Sequence, residues 1–531
     1  MSDVDSVVAR VAGQARTWNA LDSSQRAGIL QSCRKGVFQI AEEWAQQSCI
    51  AKGISIDAPA AGEEWFTGPA ITLRHLRLYR DTLLRGGSVP KALLKPYSSE
   101  ANYSRCGWSA QVFPQEKWDF ALFPGTTAEV RGAAGSEPTC STRESSGCAA
   151  VLGAGNISSI PPLDFLYQLL KENRVVVVKL NPVNAYLRPL FERAFMPLVA
   201  AGFLGFVDGG AEVGAELVAH EQIDAVHITG SEHSFRAVVS SPAVRKKIIT
   251  AELGSVTPVL VVPGAWSRRM VVYQAGQIAG ILAVNGGFNC NTPKVLLTSS
   301  TWPQRTLFLS ELRKAFAAMP PRKAWYPGAE ERWTKFIREY GGEVPPRRSG
   351  ELPLTLLTGV SPDASELALA QEAFCPILAE CALDAAGEEL FLQRAVDFAN
   401  EKIAGTLSCN ILAAPATPRQ ALETAIDRLN YGTVGINTWA GLGFALGPTP
   451  WGGFPGHTLD APGSGIGVVH NTYFFDHAIK SVIRSKFKAP RKTIWTPGFK
   501  HLLSLGKNLV DYEYEPSFGK LLKLVPAAYL S

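Results

Sequence analysis

A cysteine, a glutamate and an asparagine stand in segments whose composition suits acyl chemistry. Residues 281–295 read ILAVNGGFNCNTPKV, so an apolar helix ends in Asn285-Gly286-Gly287 and a polar loop presents Cys290 before the next strand. A thiol in such a loop can be reached by substrate, and turn N–H groups can hold an oxyanion. Residues 248–262 read IITAELGSVTPVLVV and place Glu252 at the end of an apolar strand. Burial there would raise its pKa toward the working range of a base. Residues 151–162 read VLGAGNISSIPP, where Asn156 follows a strand end and can donate its amide to an oxyanion. The GxGxxS string there is a weak dinucleotide signal. Lys179 closes the VVVVK strand, at the edge where a nucleotide would lie. Residues 225–231, AVHITGS, run from strand to helix start, and the N–H groups around Gly230 and Ser231 suit a pyrophosphate. Each position also has a plain structural explanation: a small buried thiol, a surface carboxylate at a strand end, an ordinary turn.

These residues need elements to bring them together. Residues 21–51 and 65–84 have helical spacing, with Asp22 as the first N-cap. Residues 107–130 change period: Trp108, Ala110 and Val112 alternate with polar neighbours, as do Trp118, Phe120 and Leu122. That pattern predicts a long β-hairpin with its loop at 114–117. Residues 126–146 read as a strand plus a loop. From 149 to 260, strands at 149–152, 174–180, 203–208 and 225–228 alternate with helices at 162–172, 187–201, 214–220 and 234–240. Such alternation predicts a parallel sheet, which places ligands at the carboxyl ends of its strands. A second series runs from 256 to about 445, with helices at 271–284 and 304–317, a strand at 294–298, and further alternation through 391–399 and 418–429. Two tandem α/β domains are expected.

Composition supports this. The 531 residues are 46% apolar and 19% charged, which excludes a largely disordered chain. No apolar run reaches the ~18 residues of a membrane span, and residues 1–10 lack a secretory pattern. Nine cysteines without a CxxC pair argue against a disulfide framework or a zinc site and favour the cytoplasm. The eight histidines form no HExxH, so no metal is expected; His227 reads as a core residue, and the twelve tryptophans are assigned no role. Glycines at 441–467 read as turns rather than phosphate loops. Net charge is +5, but eight Lys and Arg between Lys480 and Lys507 face no acid. Without those eight, 44 basic residues meet 47 acidic ones, so no nucleic-acid-binding surface is expected.

Taken together, the motifs resemble the aldehyde dehydrogenase superfamily in order and nearly in spacing, over about residues 20–485. The resemblance rests on Glu252-Leu253-Gly254, the Cys290 loop, HITGS at 227–231, Glu372-Ala373-Phe374-Cys375-Pro376, Asn437-Thr438 and Pro450-Trp451-Gly452-Gly453. It implies a Rossmann-like cofactor domain (1–106 and 132–254) and a catalytic thiol domain (255–467). It also implies a β-hairpin oligomerisation arm (107–131 with 468–487), ahead of a C-terminal extension (488–531). It implies Cys290 as nucleophile, Asn156 with the Cys290 N–H as oxyanion hole, and Glu252 as the base that activates water. Cofactor contacts are implied for Lys179, Gly214, Gly230, Ser231, Leu253, Glu372 and Phe374. The implied activity is oxidation of an aldehyde to a carboxylic acid with NAD or NADP, in a homodimer or homotetramer.

Departures mark a divergent member. The Pro-Trp-Asn-Phe-Pro string is Ala154-Gly155-Asn156-Ile157-Ser158 here. ELGG ends in Ser255, and 38 residues separate Glu252 from Cys290, a small insertion. Three residues after Lys179, Pro182 replaces a ribose-binding carboxylate, which leaves both NAD and NADP open. The central segment also resembles acyl-CoA reductases, so a CoA-acylating enzyme is the second reading, although Glu252 argues for water. A catalytically inactive dehydrogenase fold is the third; the joint presence of Cys290, Glu252 and Asn156 argues against it. The tail pairs basic residues with Trp495, Phe499, Leu502 and Leu503, which suits a membrane surface. Pro490, Pro497 and Gly498 break any long amphipathic helix, so packing on protein is the expectation.

Overall fold

The computed structural model describes residues 2–87, 93–96, 105–115, 119–120, 123–144, 147–341, 346–363, 366–489 and 492–529. Two sheets organise it. The first has six strands, ordered Gly465–Ile466, Ile248–Leu253, Ala225–Gly230, Cys148–Leu152, Val175–Lys179 and Leu204–Val207, all parallel except the short first one. Val175–Val178 are wholly buried, because helices cover both faces of a parallel sheet. Burying each such valine contributes about 1.5–3 kcal/mol. The helix Ile160–Leu170 is buried along its whole length, which matches its nearly all-apolar sequence. The long helix Ser23–Lys52 starts where the sequence indicates: Asp22 and Gln25 form a reciprocal capping box. The helix expected over 187–201 breaks into Arg188–Ala194 and Met196–Ala200, with non-helical backbone at Phe195 and Pro197 just after it.

The second sheet has ten strands. Its parallel heart is Thr433–Ile436, Ser408–Leu412, Thr257–Val261, Pro293–Ser299, Ile377–Leu383 and Thr355–Val360. Ala478–Arg484 joins this heart in parallel and continues antiparallel into Thr127–Ala133, Cys106–Phe113 and Leu94–Pro96. The hairpin thus exists with a different return strand. Asp119 and Phe120 are helical and Phe120 is 62% exposed; Trp118 and Leu122 lie outside the described residues. The alternation over 118–122 is short, whereas Thr127–Ala133 finds partners on both sides.

The basic run is not uniformly a surface. Lys480 is 2% exposed, and its ammonium donates to the carbonyls of Ile426, Asp427 (3.3 Å) and Leu429 (2.7 Å) at the end of helix Arg419–Arg428. The tail packs on its own chain: Phe499, Leu505, Tyr512, Leu521 and Leu524 form a buried cluster against Phe66 and Phe123. No helix among the described residues is long and apolar enough to cross a membrane.

Candidate functional site

The two sheets meet at a cleft. Glu252 reaches it from the parallel sheet, where its residue pairs with Gly465 on a strand returning from the other half of the chain. Leu253 N–H donates to the Ser464 carbonyl at 3.0 Å, so the returning segment braces both Glu252 and Leu253. Cys290 reaches the cleft from the opposite side, in the loop ahead of strand Pro293–Ser299. All ten residues singled out in the sequence line one cavity of about 1490 Å³: Asn156, Lys179, Gly214, Gly230, Ser231, Glu252, Leu253, Cys290, Glu372 and Phe374.

Asn285, Gly286 and Gly287 carry φ of 53°, 65° and 79°, three successive left-handed residues that turn the chain sharply out of helix Arg268–Ala283. Gly287 has a further reason to be glycine: a Cβ there would lie 2.9 Å from the Pro376 backbone. The turn presents Cys290 partly exposed, with the Glu252 carboxyl near enough to influence its titration. Burial pushes the Cys290 thiol well up, and the neighbouring Glu252 and Glu372 carboxylates add to the shift. Burial also lifts Glu252 to about 8, against the lowering influence of Cys290 and Trp451. Trp451 Nε1 lies 3.4 Å from Glu252 Oε1. With both groups raised, thiol and carboxyl are both largely protonated at neutral pH, and the ionised fraction of Glu252 that can take the thiol proton grows as pH rises toward 8.

Asn156 is 5% exposed, and its Nδ2 donates to the Phe288 carbonyl at 3.0 Å. An amide nitrogen has two N–H groups, so one is left for the cavity. Among the described residues, no acceptor takes the Cys290 backbone N–H.

Along the parallel sheet, Lys179 Nζ makes one long contact, 3.4 Å to the Leu180 carbonyl, which leaves donors for a ligand. Burial lowers its pKa, and Glu212 and Asp208 oppose that shift. Ser231 caps helix Glu232–Val239 by accepting from Ser234 N–H, and a Cβ at Gly230 would meet nothing within 4 Å. Glu372 lies at the far end, lifted to about 7 by burial against the pull of Lys294 and Arg332. A Cβ on Gly254 would sit 2.1 Å from Glu372 Oε2, so glycine there lets the carboxylate reach the strand end. Phe374, at φ 42°, carries the Arg332 guanidinium over its ring at 5.9 Å.

Sequence reasoning missed several neighbours. Lys294 is buried four residues past Cys290 and donates to the carbonyls of Asn289 (3.1 Å) and Thr292 (3.2 Å), with Glu372 Oε1 3.9 Å away. Its spacing from Cys290 was the available signal. Trp451, which reaches Glu252, stood in the Pro450-Trp451-Gly452-Gly453 string with no role attached, and Trp439, whose Nε1 donates to the Asn291 carbonyl at 3.1 Å, carried no signal beyond residue type. His227 is a core residue as expected, buried and held by Thr250 and Thr229.

Fold and cavity define a two-sheet α/β protein in which a thiol loop and the carboxyl edge of a parallel sheet face one cleft. The model described as "Aldehyde dehydrogenase family" matches residues 134–330, and over that segment the chain is similar to the family. It is 23% identical over 301 residues to a putative aldehyde dehydrogenase, DhaS, of Bacillus subtilis, covering 56% of this chain and 51% of that one. The chain thus spans about half the length of the curated relatives it matches. Among solved structures it is similar to aldehyde dehydrogenase C of Pseudomonas syringae in complex with NAD+ and octanal. The TM-score is 0.62 at 19% identity, over 92% of this chain and 90% of that one. It is also similar to the glyceraldehyde-3-phosphate dehydrogenase GapN of Methanocaldococcus jannaschii complexed with NADP, with a TM-score of 0.61 at 17% identity over 91% and 94% of the two chains. At these identities the likeness speaks to the fold.

Proposed function

We propose that the protein oxidises an aldehyde to a carboxylic acid with a nicotinamide dinucleotide, through covalent attachment to Cys290. The observation that carries this is that the Cys290 thiol, the Glu252 carboxyl and the Asn156 amide line one cavity large enough for a dinucleotide. The residues fit such a cofactor: Lys179 has unused donors, Gly230 leaves open space, and a capped helix start lies beside them. Lys179 and Ser231 would hold the adenosine and phosphate end, and Glu372 and Phe374 the nicotinamide end. When bound, the dinucleotide supplies the hydride acceptor that turns a Cys290 thiohemiacetal into a thioester.

The chain's own residues do the rest. Glu252 takes the thiol proton, and the Cys290 thiolate attacks the carbonyl carbon. The second Asn156 amide N–H and the Cys290 N–H receive the developing oxyanion. Glu252 first releases that proton to solvent and then draws one from water, whose oxygen attacks the thioester carbon; the C–S bond breaks and the departing thiolate takes the proton back from Glu252, restoring the thiol. Retention of a base beside the thiol favours water over CoA. NAD+ and NADP in the similar solved structures support the cofactor class. Pro182 supports use of both.

The test is an absorbance screen for NADH and NADPH with aliphatic and aromatic aldehydes, with and without CoA. The expected result is reduced cofactor without CoA, lost in a folded Cys290→Ala variant. Turnover by that variant, or strict dependence on CoA, would overturn the reading.

A further inference from the structure

We propose that Lys52 is a positioning residue that holds Asn156 and the Cys290 loop in the relative placement an oxyanion requires. The inference rests on the thiol chemistry proposed above and adds a residue outside the cavity to it. Lys52 is the last residue of helix Ser23–Lys52, far in sequence from both segments, and it does not line the cavity. Its side chain is 4% exposed and its ion-pair partner, Glu64, 1%.

An ammonium has three N–H donors, and Lys52 Nζ has three acceptors. It lies 2.8 Å from Glu64 Oε1, 3.0 Å from Asn285 Oδ1 and 3.4 Å from the Asn156 carbonyl. The Trp325 ring lies 4.8 Å beneath the charge. Asn285 extends the arrangement. Its Nδ2 lies within hydrogen-bond distance of the Asn156 carbonyl (3.0 Å), the Phe288 carbonyl (3.2 Å) and Asn289 Oδ1 (3.1 Å). Its backbone N–H donates to Glu63 Oε2 at 2.9 Å. The Phe288 carbonyl also takes the Asn156 amide. One cation and one asparagine therefore tie the two residues preceding Cys290 to the backbone of Asn156, the two sources of oxyanion donors.

Chemistry makes this more than packing. A buried ion pair is a poor way to gain stability, since apolar residues of similar volume serve as well or better. What the pair supplies is direction: the Glu64 carboxylate orients the ammonium, and its remaining N–H bonds point at both segments. A displacement of either segment by about an ångström would cost about a hundredfold in rate, with the thiol itself untouched.

The experiment compares wild type with Lys52→Met/Glu64→Leu, which removes the pair without leaving a buried charge, and with Lys52→Arg, which keeps the pair but not the donor geometry. Three quantities are read on folded protein: the rate of the reduced-cofactor burst, KM for aldehyde, and the rate of Cys290 alkylation by iodoacetamide. Alkylation at carbon forms no oxyanion, so a merely structural lesion would move it together with the burst. The expected result is alkylation within about threefold of wild type and nearly unchanged KM. The burst should fall about a hundredfold in the double variant and less in Lys52→Arg, the scale of a lost oxyanion donor. A folded form of either variant whose burst stays within about threefold of wild type overturns the inference while leaving the proposed function standing. A wild-type protein with no burst for any aldehyde overturns both.

Discussion

Glu252 and Cys290 are close enough to shift each other's titration although they come from different sheets, Glu252 from the second strand of the six-stranded one and Cys290 from the loop entering the ten-stranded one. The reactive pair exists only when the two halves of the chain are docked. On the proposed mechanism Glu252 acts first on the thiol and later on water, so it would serve both half-reactions. Glu252→Gln is expected to slow the reduced-cofactor burst about tenfold and steady-state turnover by ~10²–10⁴, the range for a lost general base. Stopped-flow absorbance measures both. In wild type the burst should rise with pH through about 8, following the Glu252 carboxyl, and that limb should vanish in the variant. Equal loss in both phases would show that Glu252 acts on the thiol alone.

The same carboxyl makes stability depend on pH. Its folded-state pKa of about 8 stands above the ordinary 4.5, so between those values the folded protein retains a proton that the unfolded chain has released. Unfolding then releases protons, and this contribution to stability falls as pH rises from about 4.5 to 8. Glu252→Gln cannot ionise. Its Tm relative to wild type should therefore be higher at pH 8 than at pH 5, measured by calorimetry at matched ionic strength. A difference independent of pH would mean that Glu252 is solvated in the native protein.

Gly230 offers a test of the cofactor edge. It ends strand Ala225–Gly230, and a Cβ there meets nothing within 4 Å. Gly230→Val should fold with little change in Tm, since nothing inside the chain is displaced. Its bulk would occupy the space ahead of the Ser231 helix start. Dinucleotide Kd, read by fluorescence titration, should rise at least tenfold, about 1.4 kcal/mol. Unchanged Kd would place the phosphates elsewhere.

Cofactor choice is a separate matter. Pro182 offers no carboxylate to repel a 2′-phosphate, so NAD and NADP should differ in kcat/KM by less than about a hundredfold, ~3 kcal/mol. Glu212 and Asp208, close enough to Lys179 to influence its titration, are the residues to exchange if the preference proves larger.

Much of this was legible in the sequence because it is local. Val175–Val178 announce a doubly covered strand, Asp22 a helix start, and the Asn285-Gly286-Gly287 run a turn that only left-handed backbone can make. Seven of the ten site residues share a cavity because strand ends and helix starts of a parallel sheet converge by topology, while Cys290, Glu372 and Phe374 come from loops entering strands of the other sheet. Long-range placement was illegible. Nothing near Lys52 announces a partner at Asn285, 233 positions away. Trp451 and Lys480 read as core mass and surface charge until tertiary contacts give one a carboxylate and the other a helix end. The return strand of the hairpin was misplaced for the same reason: alternation over five residues competes poorly with the two-sided pairing of Thr127–Ala133.

The C-terminal extension packs on its own chain, as the sequence leads one to expect, and it makes the last prediction. Trp495 Nε1 donates to Gln277 Oε1 at 2.7 Å, on the helix that leads into the Cys290 loop, and the Trp495 ring packs edge-on against Trp439. Further on, Glu513 is 2% exposed, with Arg77 at 2.8 Å and Arg74 at 3.0 Å, and its carbonyl accepts from Arg34 at 3.2 Å. Burial alone would lift the Glu513 carboxyl, but Arg77 and Arg74 hold it below the ordinary range. Its stabilising contribution is therefore complete at neutral pH and lost as pH falls through that lowered value. Truncation after Lys486 strips partners from Arg34, Arg74 and Arg77 at once and bares the apolar surface around Phe66. Glu513→Ala alone should cost about 3–5 kcal/mol, the cost of a buried charge left without its partner. Truncation should cost more, and both losses should show as lower denaturation midpoints. Binding to anionic vesicles should change little, because most of the tail's apolar residues pack inside the protein, Phe518 and Leu522 being the exposed exceptions among the described residues. Denaturant titration and vesicle co-sedimentation at low and physiological salt are the paired measurements. Strong salt-sensitive binding lost on truncation, with the midpoint unmoved, would mean that the tail leaves the protein for the membrane surface.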